Sequence, residues 1–439
     1  MRTNSVMKQA EVKNDMVNRP RAEMRLMTEL LSFVLFFCQN AVAEDWPTRL
    51  HDMHRSGITS ESLTLPLTER WTYDTPRRPA PAWTESPAGH DYYHSYYDLK
   101  PRQNFDFAFD VAVAGGFVYF GSSKSGTINC LDATTGERVW TFFTEGPVRF
   151  SPTVANGRVY AGSDDGYVYC LDALDGSLIW SEQVGGEDMI WSNGQMSSVW
   201  PVHGSVLVDG SDIFWAAGLF PKEGMYLCKR NVADGNGGWT ATPMLPPQGY
   251  LLATASKLFV PSGKTYPTIY NRTNGSYAGN VQVDTRDGGC WALLTRDESQ
   301  FWTGPSVDNQ VRQFSAQTGT YVAAVRGANY LIADDTYAYC CTDTHISKIQ
   351  RNDCSIVWSL DYAYPYAIIK AGTTLFAGGN GEIAALRSTM RGKATQGDGM
   401  RIWTAPVKGK AYGLAVANGA LYVSTDTGII YCFSATVRL

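Results

Sequence analysis

The stretch Leu131-Asp132-Ala133-Thr134-Thr135-Gly136-Glu137-Arg138-Val139-Trp140 returns 40 residues later as Leu171-Asp172-Ala173-Leu174-Asp175-Gly176-Ser177-Leu178-Ile179-Trp180. Self-similarity at that period marks a repeat architecture, in which each unit buries its apolar face against its neighbours. Weaker copies end at Trp239, Gly279, Ala323, Trp358 and Trp403, each four residues after a turn position that is Gly everywhere except at Cys354. Ahead of the turn lie two short strands and a hairpin, as in Val159-Tyr160-Ala161-Gly162, Asp164-Asp165-Gly166 and Tyr167-Val168-Tyr169-Cys170. Four short strands in about 40 residues make one propeller blade. The motif is architectural: Asp caps the turn, Gly takes a conformation other residues resist, and Trp packs between blades.

Counting outward from this pair predicts an all-β, eight-bladed propeller of four-stranded antiparallel blades. Fourth-strand positions fall at Trp71, Trp140, Trp180, Trp239, Gly279, Ala323, Trp358 and Trp403. The last three-strand unit, 411–435, has no fourth strand after it, and Trp71 has no unit before it. The strand around Trp71 is therefore expected to complete the last blade and close the ring, leaving no raw sheet edge. Composition agrees: 42 Gly, 24 Tyr and 13 Trp with only 18% charged residues favour strands and turns. A net charge of -5 without a basic run excludes a general nucleic-acid binder, whose affinity rests on clustered Lys and Arg.

The turn-and-Trp repeat, together with Asp45-Trp46-Pro47 and Arg55-Ser56-Gly57 ahead of the first Trp, resembles the PQQ-like (quinoprotein alcohol dehydrogenase-like) β-propeller family, which includes BamB-like proteins. The resemblance spans roughly residues 45–435. It implies the fold strongly and the function weakly. Some relatives are dehydrogenases carrying PQQ with calcium, and a vicinal disulfide beside that cofactor makes Cys340-Cys341 worth noting. This pair sits in a strand pattern, however, where adjacent side chains point to opposite faces, so two free thiols are expected. Cys130, Cys170, Cys228 and Cys432 share one third-strand position and read as free core thiols.

Candidate site residues come from a second periodicity. An aromatic stands near the start of each first strand: Phe109, Phe150, Trp200, Tyr250, Trp291, Tyr330, Tyr366 and Tyr412. Together they would form an aromatic funnel at one end of the axis, suited to flat or amphipathic ligands; the competing reading is a packing belt. Insertions at 73–108, 184–203, 218–225 and 263–268 are expected on that same face, and 387–399 on the other. Arg149 beside the funnel, with Glu187 and Asp188 on an insertion, are the charged groups to test. The pattern His90 to His94 could hold a metal but lies in a Tyr- and Pro-rich insertion, so no metal is expected. No nucleophile triad, phosphate loop or haem-attachment motif is present.

Met24-Arg25, the apolar run Leu30 to Cys38 and Ala41-Val42-Ala43 read as a signal peptide over 24–43, within a leader of 1–43, ahead of a single propeller domain over 44–439. The expectation is an exported protein, periplasmic or extracellular, with no transmembrane anchor. The leading function is a non-catalytic scaffold that captures a partner protein or surface polymer through the funnel, with no cofactor. A PQQ-dependent dehydrogenase and a carbohydrate-binding or carbohydrate-processing propeller stand as alternatives.

Overall fold

The computed structural model describes residues 43–75, 77–82, 105–192, 194–263, 265–281, 289, 291–305, 310–389 and 400–436. The leader up to Val42, the His90 to His94 pattern, most of the 73–108 insertion and most of the 387–399 insertion lie outside these residues. Regular structure among the described residues is entirely β, in a propeller-like arrangement. Six four-stranded antiparallel sheets follow one another from Val111 to Leu360, each with its strands in chain order. An eight-stranded sheet follows. In it the long strand Arg401–Ala417 pairs through its first half with Asn380–Arg387 and through its second half with Ala420–Thr425. Leu67–Asp74 lies antiparallel to Ile429–Ala435, with Trp71 opposite Cys432. First strands of adjacent sheets meet, as Val111–Ala114 meets Thr153–Ala155 and Tyr330–Ala333 meets Ala367–Ala371.

The repeat motif explains how neighbouring sheets lock. Gly136 and Gly176 both have φ of +73°, and a Cβ added to either would stand 2.6 Å from the Trp71 or the Trp140 ring, respectively. Glycine is therefore required for the backbone and for the ring above it. Each indole also donates to the carbonyl three residues before the turn position of the next sheet: Trp71 to Ala133 (3.0 Å), Trp140 to Ala173 (3.1 Å), Trp180 to Val232 (3.1 Å) and Trp239 to Arg272 (3.2 Å). Trp403 donates to Leu67 (3.0 Å), while the buried Trp358 indole nitrogen has no hydrogen-bond partner.

Two sheets lack this Trp, and each supplies a substitute donor. In Gly279's own sheet, Lys257 Nζ reaches across to the Ala316 carbonyl of the next sheet at 3.2 Å. Where Ala323 stands, Gln313 Nε2 donates to the Arg351 carbonyl at 2.7 Å. Ala323 leaves no ring over the next turn, so Cys354 can keep a side chain there at a φ of 58°. The seven described cysteines, Cys340 and Cys341 among them, are free thiols. Burial pushes the Cys130 thiol up to about 12, which makes it an inert core group.

Residues 44–61 form a crosspiece that touches the first strand of sheet after sheet. Trp46, fully buried, forms a two-way backbone bridge with Val113. Pro47, Met53, His54 and Gly57 offer carbonyls to Val154, Ala253, Leu294 and Lys370. Ile58–Thr59 then runs parallel to Lys370 and Ala371, and Glu61 accepts from the Asn418 and Gly419 amides. Arg55 is the keystone. Only 1% exposed, it donates to the Leu251 carbonyl, Thr48 Oγ1 and Ser205 Oγ. Burial lowers its pKa to about 10, leaving it charged at neutral pH.

Candidate binding site at the aromatic mouth

The aromatic residues singled out by spacing divide into two groups. Phe109 packs on Phe120 at 5.7 Å and is core. Phe150 is enclosed between Phe105, stacked at 4.8 Å, and Tyr250, edge-on at 4.9 Å. Tyr250 donates from Oη to Asp110 (3.1 Å) and accepts from the Ser151 amide, and the Arg49 and Arg55 guanidiniums lie over its ring at 4.9 and 5.5 Å. Burial raises its phenol pKa. Trp200 turns away from the axis: its ring lies against Gly185 and Gly186, and Nε1 donates to the Glu223 carbonyl at 2.8 Å. The absence of a Cβ at both glycines is what lets that large ring settle there.

Arg149 holds this packed half shut. Its Nε meets Asp164 and its Nη1 meets Asp106, both at 2.7 Å, and Nη1 also donates to the Ala80 carbonyl. His203 Nε2 stands 2.9 Å from the other oxygen of Asp164. All four side chains are buried. Burial alone would raise the Asp164 pKa, but Arg149 and His203 outweigh it and hold the carboxyl below its ordinary range. At Asp106 burial wins, and its pKa is raised. Asp106 also accepts from the Ala82 amide, so the cluster pins both ends of the 73–108 insertion over Phe150. Arg149 is a clamp. Glu187 and Asp188 are exposed at the root of the hairpin formed by Met189–Ser192 and Gln195–Ser198. The structure does not gather them with Arg149.

The other four aromatics line an axial cavity. Trp291 stacks on Tyr330 at 6.0 Å, and Tyr366 meets Tyr412 at 4.8 Å. Phe107 stacks on the far side of Tyr412 at 5.3 Å, and Lys410 Nζ lies 5.5 Å from the Tyr366 ring. Arg49 and Asp110, joined as an ion pair, supply the polar lining. The cavity's space of about 30 Å³ has room for about two waters. A small apolar group reaching this space would meet aromatic rings and a single neutralised ion pair.

Asp110 is already committed to Arg49 and Tyr250, and among the described residues no three His, Cys, Asp or Glu side chains gather as a metal site. The residues that spacing alone missed are Arg49, Asp110, Phe105 and Phe107. None belongs to the repeat, so the 40-residue period carries no signal for them. The flanking Asp45-Trp46-Pro47 and Arg55-Ser56-Gly57 were the visible hint that this segment matters.

Comparisons with known proteins agree on the fold. The sequence pattern of the family described as outer membrane protein assembly factor BamB matches residues 71–360. No curated protein matches the chain by sequence. Among solved structures, BamB from Moraxella catarrhalis is similar with a TM-score of 0.57 at 14% identity, covering 84% of this chain and 100% of that one. The quinohemoprotein alcohol dehydrogenase from Comamonas testosteroni gives a TM-score of 0.62 at 13% identity, covering 92% of this chain and 83% of that one. A computationally designed protein, Ika8, is similar at 0.56 and 12% identity, covering 76% of this chain and 98% of its own. Likeness at such identities carries the fold alone.

Proposed function

The chain belongs to the family described as outer membrane protein assembly factor BamB, and from that premise we propose that it is an exported, non-catalytic propeller scaffold. It captures a partner protein or surface ligand through the half-open aromatic mouth. In this reading the long strand Arg401–Ala417 serves two of eight blades and Leu67–Asp74 closes the ring, a count supported by the pairings of Arg401–Ala417 with two strands and of Leu67–Asp74 with Ile429–Ala435. The reading of the leader as a signal peptide places the mature protein in a periplasm or outside the cell. Among the described residues no helix is long and apolar enough to cross a membrane.

One observation carries the binding reading. Four of the eight mouth aromatics are committed to packing, whereas half-buried Tyr330, Tyr366 and Tyr412, with the buried Trp291, surround a small cavity. Concave aromatic sites with a few fixed polar groups are where ligands bind.

A photo-crosslinking amino acid at position 366, introduced in cells that produce the protein, should yield a discrete adduct. The same group at Tyr321, half-exposed on an outer strand, should yield none. Equal adducts at both positions, or none at 366, would overturn the reading.

A further inference from the structure

Between the closing strand Leu67–Asp74 and the sheet 111–143 lies a cleft of about 190 Å³. The neighbouring seam shows why it exists. There Phe142, two residues after Trp140, packs on Tyr169 of the next sheet's third strand at 5.3 Å, with Tyr167 beside it. At the closing seam Tyr73, two residues after Trp71, takes the place of Phe142. The third strand, however, carries Asn129 where its neighbour has Tyr169, and Thr127 where its neighbour has Tyr167. Tyr73 turns to Phe120 instead, at 5.9 Å, and the volume of two phenol rings is left open.

The polar wall is a connected run of hydroxyls and one amide. Ser125 Oγ donates to Ser122 Oγ (2.7 Å) and meets Thr127 Oγ1 (2.8 Å); Asn129 Nδ2 donates to Thr127 Oγ1 (3.0 Å) and Oδ1 accepts from Thr141 (3.0 Å). Ser122, Thr127 and Asn129 are buried, and these mutual hydrogen bonds are what make polar side chains tolerable where the neighbouring seam has rings. At the rim stand Arg77 and Arg138, both exposed, and among the described residues no carboxylate lines the cleft. Phe143 is 76% exposed beside them. Aromatic faces beside a donor-and-acceptor wall suit a sugar, which has an apolar C–H face and a ring of hydroxyls. Two guanidiniums without a facing acid suit a carboxylate, which Arg engages through paired N–H groups.

We propose that this seam binds an acidic saccharide, one uronate-like ring lying against Phe143 and Tyr73 with its hydroxyls on the Ser122–Asn129 wall and its carboxylate on Arg138 and Arg77. The site is separate from the axial mouth. Calorimetric titration of the full chain with trigalacturonate, with maltotriose as the neutral control, tests it. Binding should be saturable and specific for the acidic sugar. Arg138→Ala should weaken it at least about tenfold, the loss of one charge-assisted contact. Asn129→Tyr refills the cleft as the neighbouring seam is filled, and should abolish binding with an unchanged or raised melting temperature. A triple variant at Trp291, Tyr366 and Tyr412 should bind as the parent does, so failure at the axis and failure at the seam are told apart. No binding by the parent protein, equal binding of maltotriose, or binding that neither Arg138→Ala nor Asn129→Tyr reduces would overturn the proposal.

Discussion

The two halves of the aromatic mouth are built from one repeat and end differently. On one side Phe150 and Tyr250 are sealed by Phe105, and the Arg149 cluster fastens the arms of an insertion over them. On the other, Tyr366 and Tyr412 stand at equivalent points of their sheets and still line open space. A repeat places a side chain at a radius and height. What then covers that side chain comes from segments outside the repeat, and it decides whether a ring is core or surface for a ligand.

The largest effect should come from removing what both halves share. Deleting 44–61 strips Trp46 and Arg55 from beneath the mouth and leaves backbone groups of several first strands unpaired. We expect aggregation, or a clearly lower melting temperature, because buried backbone groups left unpaired are costly. Calorimetry decides it, and an unchanged transition would show that the crosspiece is not a common floor.

Next comes the contrast itself. Phe150→Ala should cost about 3–5 kcal/mol in urea unfolding, as a buried ring lost from packed surroundings. Tyr366→Ala, half-buried beside a cavity, should cost about 1 kcal/mol or less. Similar losses at both would mean that the open half is core too, and the binding reading would lose its support.

The smallest effect is a pH dependence in the crosspiece. Burial would raise the Asp52 pKa, but the His51 ring 3.6 Å away and the hydrogen bonds from Ser56 outweigh it and bring the carboxyl from 3.8 to about 2. A carboxyl depressed on folding contributes stability that is present above its unfolded value and lost as pH falls through its folded value. About 2 kcal/mol should therefore disappear between pH 4 and pH 2. Unfolding measured at each pH should show that slope in the parent protein and a shallower one in Asp52→Asn.

Much of the architecture could be read directly from residues. The spacing from Gly136 to Trp140 and from Gly176 to Trp180 encodes a turn and a ring that need each other, and such local chemistry repeats visibly. The aromatic start of each first strand was legible for the same reason. The clamp role of Arg149 was not, because its partners Asp106 and Asp164 lie 43 and 15 residues away along the chain, on unrelated loops. Trp200 shares the composition of its fellow candidates, yet Gly185 and Gly186 draw its ring away from the axis.

Sequence alone determined the β repeat, its period, the residues that lock sheet to sheet, and the positions where rings would cluster. Those features depend on neighbours within one or two repeats, so the pattern records them. Only the tertiary structure decided that 44–61 crosses beneath the mouth, that Arg49 neutralises Asp110, and that one half of the mouth is sealed while the other stays open. Such outcomes depend on contacts between segments far apart in the chain, and the burial of a side chain is a property of everything that surrounds it.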